Sequence, residues 1–228
     1  MSEKQLIKLL YNALREYIAP AVAGTRYDVP WIVALVNREC GWKVARELNK
    51  GRVLMDILVT MRGDYVASMG GYQGYSPFQI DIKSYPDFIK KGNWKNLQLA
   101  AQKCVAVLEE KRRTLELLGY TEAKLGTNLY NRCITAAYNC GAGSKTGVKG
   151  VAGAMRRSGN TNPDLNTYDK DYSKEVFRMI GIVWNIVKEL EPQTSIPEEI
   201  AQANAIDGED REVSTKPRPG EPSEEELV

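Results

Sequence analysis

Glu39 is the residue whose surroundings suggest chemistry. It follows Trp31-Ile-Val-Ala-Leu-Val-Asn-Arg38, and Trp31, Leu35 and Glu39 recur every four residues, so the acid shares a helical face with a Trp and a Leu. A helix that is apolar nearly all round belongs in a core, and burial disfavours a charged carboxylate. Gly41 reads as the cap that ends this helix, which would place the partial negative charge of a helix C-terminus beside the acid. Both effects hold a carboxyl group protonated, the state a general acid needs.

Composition removes several other chemistries. The chain has no histidine, so Ser-His-Asp and Cys-His arrangements are absent and zinc is left only all-cysteine or carboxylate sets. Cys40, Cys104, Cys133 and Cys140 show no CxxC spacing; they are read as free core thiols, with no metal and no cofactor expected. Gly141-Ala-Gly-Ser-Lys145-Thr146 has the look of a phosphate loop and fails as one. Ser144 and Asn139 stand where that motif needs glycine, and the segment follows a helix instead of a strand. Arg62-Gly63-Asp64 matches an adhesion-type tripeptide, a match too short to carry weight.

The elements that must position Glu39 are mostly helical. Leu6, Ile7, Leu10, Leu14, Tyr17 and Ile18 form one stripe, Ser2 and Gln5 are spaced as a capping box, and the helix is expected to end near Pro20. Asp28 is the expected N-cap of the Glu39 helix, with Pro30 in its first turn. Further helix is read over 43–62, broken at 49–51. Gly63, Gly70, Gly71, Gly74 and Pro77, interleaved with Tyr65, Tyr72 and Tyr75, then predict loops and a short hairpin. A long helix is read from about Asn96 to Leu118, ended by Gly119. Another runs from about Leu129 to Gly141, a glycine-rich connection reaches Gly159, and a last helix carries Tyr172 to Val187.

Charge divides the chain. Of its 31 basic and 29 acidic residues, three and ten lie in 192–228, leaving 28 against 19 in the first 191, a net of +9. A basic body favours polyanions, nucleic acid and anionic cell-wall polymer included. The tail from Pro192 holds half of the prolines and no aromatics, with a short helical hint at 198–205, and is expected to be disordered. No apolar run approaches about 18 residues without a charge, so no membrane span is expected. Leu6-Ile7 and Leu9-Leu10 are interrupted by Lys8, which does not read as a secretory signal; delivery outside the cell would be phage-borne or by another export route.

Three separated segments, Arg38-Glu39-Cys40-Gly41, Gly74-Tyr-Ser-Pro-Phe-Gln79-Ile-Asp81 and Ala137-Tyr138-Asn139-Cys-Gly141-Ala-Gly143, resemble in order the signature blocks of goose-type lysozymes and the related lytic transglycosylases. Tyr168-Asp-Lys-Asp171-Tyr172 looks like the family's start to its last helix. The resemblance covers roughly residues 25–190 and implies a mainly α, lysozyme-like catalytic domain over 1–191, with residues 1–24 an added N-terminal helix and a small β-hairpin beside the cleft. It also implies cleavage of the β-1,4 bond after N-acetylmuramic acid in peptidoglycan, or of chitin. On that resemblance Glu39 is the catalytic acid, Gln79 and Tyr138 line the cleft, Tyr172 lies near the acid and Asp81 is the second carboxylate. Cys40 stands where the family has Ser, Cys140 where it has Ala, and Ser76-Pro-Phe78 where it has Gly-Leu-Met. Because the first and third blocks meet in the family, a Cys40–Cys140 bond under oxidation is the alternative to four free thiols.

Glycoside hydrolysis with inversion needs one carboxylic acid to protonate the leaving oxygen and a second carboxylate, about 6.5–9.5 Å away, to activate water. Glu39 suits the first role and Asp81, beside a glycine-rich loop where solvent keeps it ionised, the second; Asp64 is the reserve base. The structural alternative for Asp81 is a turn-forming or capping acid. A transglycosylase needs only Glu39, with the sugar's own 6-hydroxyl as nucleophile. Gln79 and Asn139 can hydrogen-bond sugar N-acetyl and hydroxyl groups, and Tyr72, Tyr75 and Tyr138 can stack on sugar faces. The expected partner is therefore peptidoglycan or a chitin-like polysaccharide, with no nucleic acid, and the expected state a monomer. A lysozyme-like binding or virion module without activity is the competing function.

Overall fold

The computed structural model describes residues 1–191 and 211–213. The tail expected to be disordered lies, apart from 211–213, outside the described residues, as does the helical hint at 198–205. The described residues are mainly helical with two small antiparallel sheets. It divides into two compact units, one formed by 1–104 with 211–213 and the other by 105–191.

In the first unit, α1 (Glu3–Val22) starts with the expected box: the Gln5 amide donates to Ser2 Oγ at 3.2 Å and the Ser2 amide to Gln5 Oε1 at 2.8 Å. Leu6, Ile7, Leu10, Leu14 and Ile18 are fully buried. Pro20 lies inside the last turn without ending the helix. Residue 212 pairs with Ser2 in an isolated antiparallel bridge.

The Glu39 helix, α2 (Val29–Asn49), has Asp28 as its N-cap, accepting from the Trp31 amide at 2.8 Å, and Pro30 in its first turn. Trp31 through Val36 are all buried. The helix does not stop at Gly41. A Cβ there would overlap Asn37 Oδ1 of the preceding turn and come within 3.4 Å of Leu6 on α1, so this glycine gives room for the buried Asn37 side chain and for α1, and caps nothing. The expected helix end beside Glu39 is thereby corrected. With α2 continuing to Asn49, the helix-terminal charge is too far away to act on the acid, since that effect fades within the last turn.

After α3 (Leu54–Thr60) the chain makes two tight hairpins where one was expected. The strands β1 (Tyr65–Val66) and β2 (Gly71–Tyr72) pair with Tyr65 opposite Tyr72, and β3 (Gly74–Tyr75) and β4 (Ile80–Asp81) pair with Gly74 opposite Asp81. A short α4 (Pro86–Lys90) follows, then α5 (Leu97–Leu117), within which the division between the units falls.

The second unit continues with α6 (Glu122–Leu125), α7 (Thr127–Cys140), α8 (Gly150–Arg157) and α9 (Tyr172–Leu190), and α7 packs on both α8 and α9. Helix α8 corrects the expected glycine-rich connection to Gly159. Its glycines read as loop formers, yet they serve close packing. A Cβ on Gly153 would overlap the Val148 carbonyl, and one on Gly150, whose φ is +65°, would lie 2.5 Å from the Gly143 nitrogen. The first amides of α8 are satisfied by the preceding loop, Val151 to the Gly141 carbonyl and Ala152 to the Ala142 carbonyl, both at 2.9 Å. Those amides are thus already used by the protein, which is the physical reason the phosphate-loop look of this segment is empty.

Gly150→Ala is expected to lower unfolding free energy by about 2–4 kcal/mol, left-handed strain adding to overlap with backbone. Gly24→Ala, also at positive φ but with open space around it, is expected to cost about 1 kcal/mol. Urea midpoints of the two variants check the difference. A second expectation concerns Asp28, whose carboxyl is pushed above the usual aspartate value by burial, against the hydrogen bond from Trp31. A raised folded-state value means stability is lost as pH rises through it. Asp28→Asn keeps the capping acceptor and should match wild type at low pH while exceeding it near neutrality, as read by melting temperature against pH.

Candidate active site

Glu39 is half-buried in the interior of α2, on the face shared by the buried Trp31 and Leu35. The next residue fixes what the helix faces. Cys40 is fully buried, and its thiol shares its one hydrogen between the Val36 carbonyl of its own helix and the Pro77 carbonyl of the β3–β4 hairpin, each at 3.4 Å. The segment carrying Glu39 is thereby joined to the segment carrying Gln79 and Asp81. Two residues noted above as departures from the family pattern, Cys40 and Pro77, touch one another.

The hairpin turn is held from within. Ser76 is fully buried, its amide donates to the Met61 carbonyl at 3.0 Å, and its hydroxyl accepts from the Phe78 amide at 3.2 Å. Ser76 and Gln79 both adopt left-handed backbone, with φ of +67° and +52°. Gln79 turns its side chain inward: Nε2 donates to the Ser76 carbonyl at 2.8 Å, and Oε1 occupies the space that a Cβ on Gly63 or Gly74 would need. The two glycines form a cradle for this amide, and one of its two N–H donors, expected to meet a sugar, is spent on the turn.

Asp81 ends β4 half-buried. Its carboxylate accepts from the Lys83 amide at 3.2 Å, the Ser84 amide at 3.1 Å and the Ser84 hydroxyl at 2.6 Å. That is the geometry of a turn-forming acid, and it differs from the solvent-exposed carboxylate expected beside the loop. Asp64 is exposed and pairs through Oδ1 with Lys43 Nζ at 2.5 Å. Lys43 lies one helical turn beyond Glu39 on α2. Tyr75 packs edge-on against Trp94, their centroids 5.2 Å apart.

Tyr138, Asn139 and Tyr172 belong to the second unit. Tyr138 is half-buried near the end of α7, and exposed Asn139 accepts from the Tyr168 amide at 3.1 Å. Tyr172 opens α9 and is buried. Its place is set by Asp164, which sequence reading missed. This carboxylate, 1% exposed, accepts from the Ser173 amide at 2.8 Å and the Ser173 hydroxyl at 2.6 Å, and pairs with Arg132 of α7 at 3.1 Å. An acid eight positions upstream of the helix it caps gives no local sequence signal.

Also missed was a cleft of about 300 Å³ in the first unit, walled by Trp42 and Lys43 of α2, by Arg62, Asp64 and Tyr65, and by Tyr72 of β2. Glu39, Gln79 and Asp81 are not among its lining residues. Its members come from α2, α3, β1, β2 and the segments between them and have no common spacing. Behind them Glu47 is held below the usual glutamate value; partial burial opposes this, and the Arg52 hydrogen bond with the Lys50 and Arg46 charges prevails.

All four cysteines are free thiols, and burial pushes both Cys133 and Cys140 up to about 12. No cluster of three or more potential metal ligands occurs among the described residues, and none of their helices is long and apolar enough to cross a membrane. No protein-family profile, curated protein or solved structure matches the chain. Thiol titration is expected to find four reactive groups after denaturation without reductant. In the native protein near pH 8, Cys133 and Cys140 should react orders of magnitude more slowly than a free thiol, because the thiolate is the attacking species.

Proposed function

We propose that this chain is a glycosidase of the lysozyme-like type that cleaves the β-1,4 bond after N-acetylmuramic acid in peptidoglycan, with Glu39 as general acid. The observation that carries the reading is the Cys40–Pro77 contact, which links the Glu39 block to the Gln79–Asp81 block across 37 residues of sequence. A half-buried acid in an apolar helix beside a structured hairpin is what protonation of a leaving group requires. In the hydrolytic route Glu39 gives its proton to the glycosidic oxygen as the C1–O bond breaks. Water attacks C1 from the opposite face and loses its proton to Asp81, leaving an inverted reducing end.

The second reading is the non-hydrolytic one, and Asp81 is the observation that favours it. A carboxylate offers about four acceptor sites, and three donors already occupy this one, so little remains to orient a water. In that route the muramic acid 6-hydroxyl attacks C1, its proton passes to the Glu39 carboxylate left by the first step, and a 1,6-anhydro ring forms.

Mass spectrometry of muropeptides released from purified cell walls separates the routes. Glu39→Gln is expected to lower cleavage by about 10²–10⁴-fold with an unchanged melting temperature; residual activity above about a tenth overturns the assignment. Reducing products that disappear with Asp81→Asn support hydrolysis. Anhydro products that persist in that variant establish the transglycosylase, and no release from any wall preparation favours the inactive binding module.

A further inference from the structure

The Trp42–Tyr72 cleft has polar atoms of both signs, on Arg62 and Asp64, that meet no hydrogen-bond partner among the described residues. Arg62 lies over the Tyr72 ring at 5.1 Å and the Trp94 ring at 5.7 Å, and its guanidinium meets no hydrogen-bond acceptor among the described residues. Asp64 uses Oδ1 for Lys43, and its Oδ2 accepts nothing among those residues. The Tyr65 and Tyr72 hydroxyls are likewise unengaged there, their rings set edge to face with centroids 5.6 Å apart. Residues 62–64 run extended, Arg62 bridging to Tyr75 and the Gly63 amide donating to the Gly74 carbonyl at 2.8 Å. Side chains two apart on an extended chain share a face, so Arg62 and Asp64 both reach the cleft that they line. Gly63 between them makes room for Gln79.

We propose that this cleft binds the zwitterionic peptide substituent of the glycan, a carboxylate on Arg62 and an ammonium on Asp64, between the rings of Trp42, Tyr65 and Tyr72. The proposal rests on the peptidoglycan reading above and names which part of that polymer is recognised. A planar guanidinium pre-oriented by aromatic stacking matches a carboxylate through two parallel hydrogen bonds. The lining carries four cationic side chains, Lys43, Arg46, Arg52 and Arg62, against two carboxylates, Glu47 and Asp64. Arg46 and Arg52 are engaged with Glu47, and Lys43 with Asp64 Oδ1, so the open groups are the Arg62 guanidinium and Asp64 Oδ2, which a ligand with one charge of each sign complements and a phosphate polymer does not. Position agrees with this role. Lys43 forms a wall of the cleft one turn beyond Glu39 along the same helix face, which puts the cleft next to the acid that the peptidoglycan reading assigns.

The test is binding measured without cleavage. A soluble disaccharide-peptide ending in a free ammonium and carboxylate, the same disaccharide without peptide, the free peptide and inorganic phosphate are each titrated against the full chain carrying Glu39→Gln, by calorimetry. The peptide-bearing ligand is expected to bind at least tenfold tighter than the bare disaccharide. Arg62→Gln should remove that advantage, and Asp64→Asn should weaken the free-amine ligand while leaving its N-acetylated form unchanged. Equal affinity with and without peptide overturns the proposal, as does unaltered peptide binding by a folded Arg62→Gln variant or phosphate bound more tightly than peptide. Binding of the free peptide by Arg62 in a protein that cleaves no glycan would sink the enzymatic reading and leave this site standing. Cleavage indifferent to the peptide and to Arg62 would do the reverse.

Discussion

The contact on which the first unit depends is the one between Cys40 and Pro77. A thiol is a weak donor, and this one divides a single hydrogen between two carbonyls at 3.4 Å, so the contact contributes geometry more than energy. The energy comes from burial: Phe78, beside Pro77, is completely enclosed, and a side chain of that size stabilises by about 1.5–3 kcal/mol when removed from water. The arrangement needs a residue at position 40 that is small, apolar enough for a core and still able to donate. Cysteine meets all three conditions, and a buried thiol with two acceptors has no need of a disulfide partner.

Around that contact the hairpins are shaped by backbone approach. Gly63 and Gly74 lie under the Gln79 amide with no volume to spare, while Ser76 and Gln79 bend the chain through left-handed conformations. Strands of two residues cannot hold a hairpin alone, so these side-chain bonds supply what the ladders lack. Rigidity of this kind is what a site needs if its groups are to be aimed before substrate arrives.

Much of the helical framework was legible in the sequence because its signals are local. The Ser2–Gln5 box, the Asp28 cap, the inward stripe of α5 and the apolar face of α9 each follow from spacings of three or four residues. The corrections at Gly41 and in the segment up to Gly159 share one cause, which is that glycine has two uses. At Gly41, Gly150 and Gly153 the residue was read as punctuation, yet in the folded chain it admits a neighbour: the Asn37 amide, the Gly143 backbone and the Val148 carbonyl. The candidate site was legible as residue types and less so as roles. Glu39 sits in its apolar helix as its spacing implied, but Asp81 forms a turn with Ser84, and Asp164 and Asp64 take their partners, Ser173 and Lys43, from far along the chain.

The segment from Gly141 to Gly150 has its two feet bolted together by the amides of α8, while 143–146 and 148–149 between them face solvent. In this closed Ω-shaped excursion residues 147 and 148 are tied back by Arg156, Arg157 and Asn166, while 144–146 make no hydrogen bond beyond the loop among the described residues. Its tip is therefore the part of the second unit most open to evolutionary rewriting, where residues can be inserted, removed or replaced while α7 and α8 keep their mutual register.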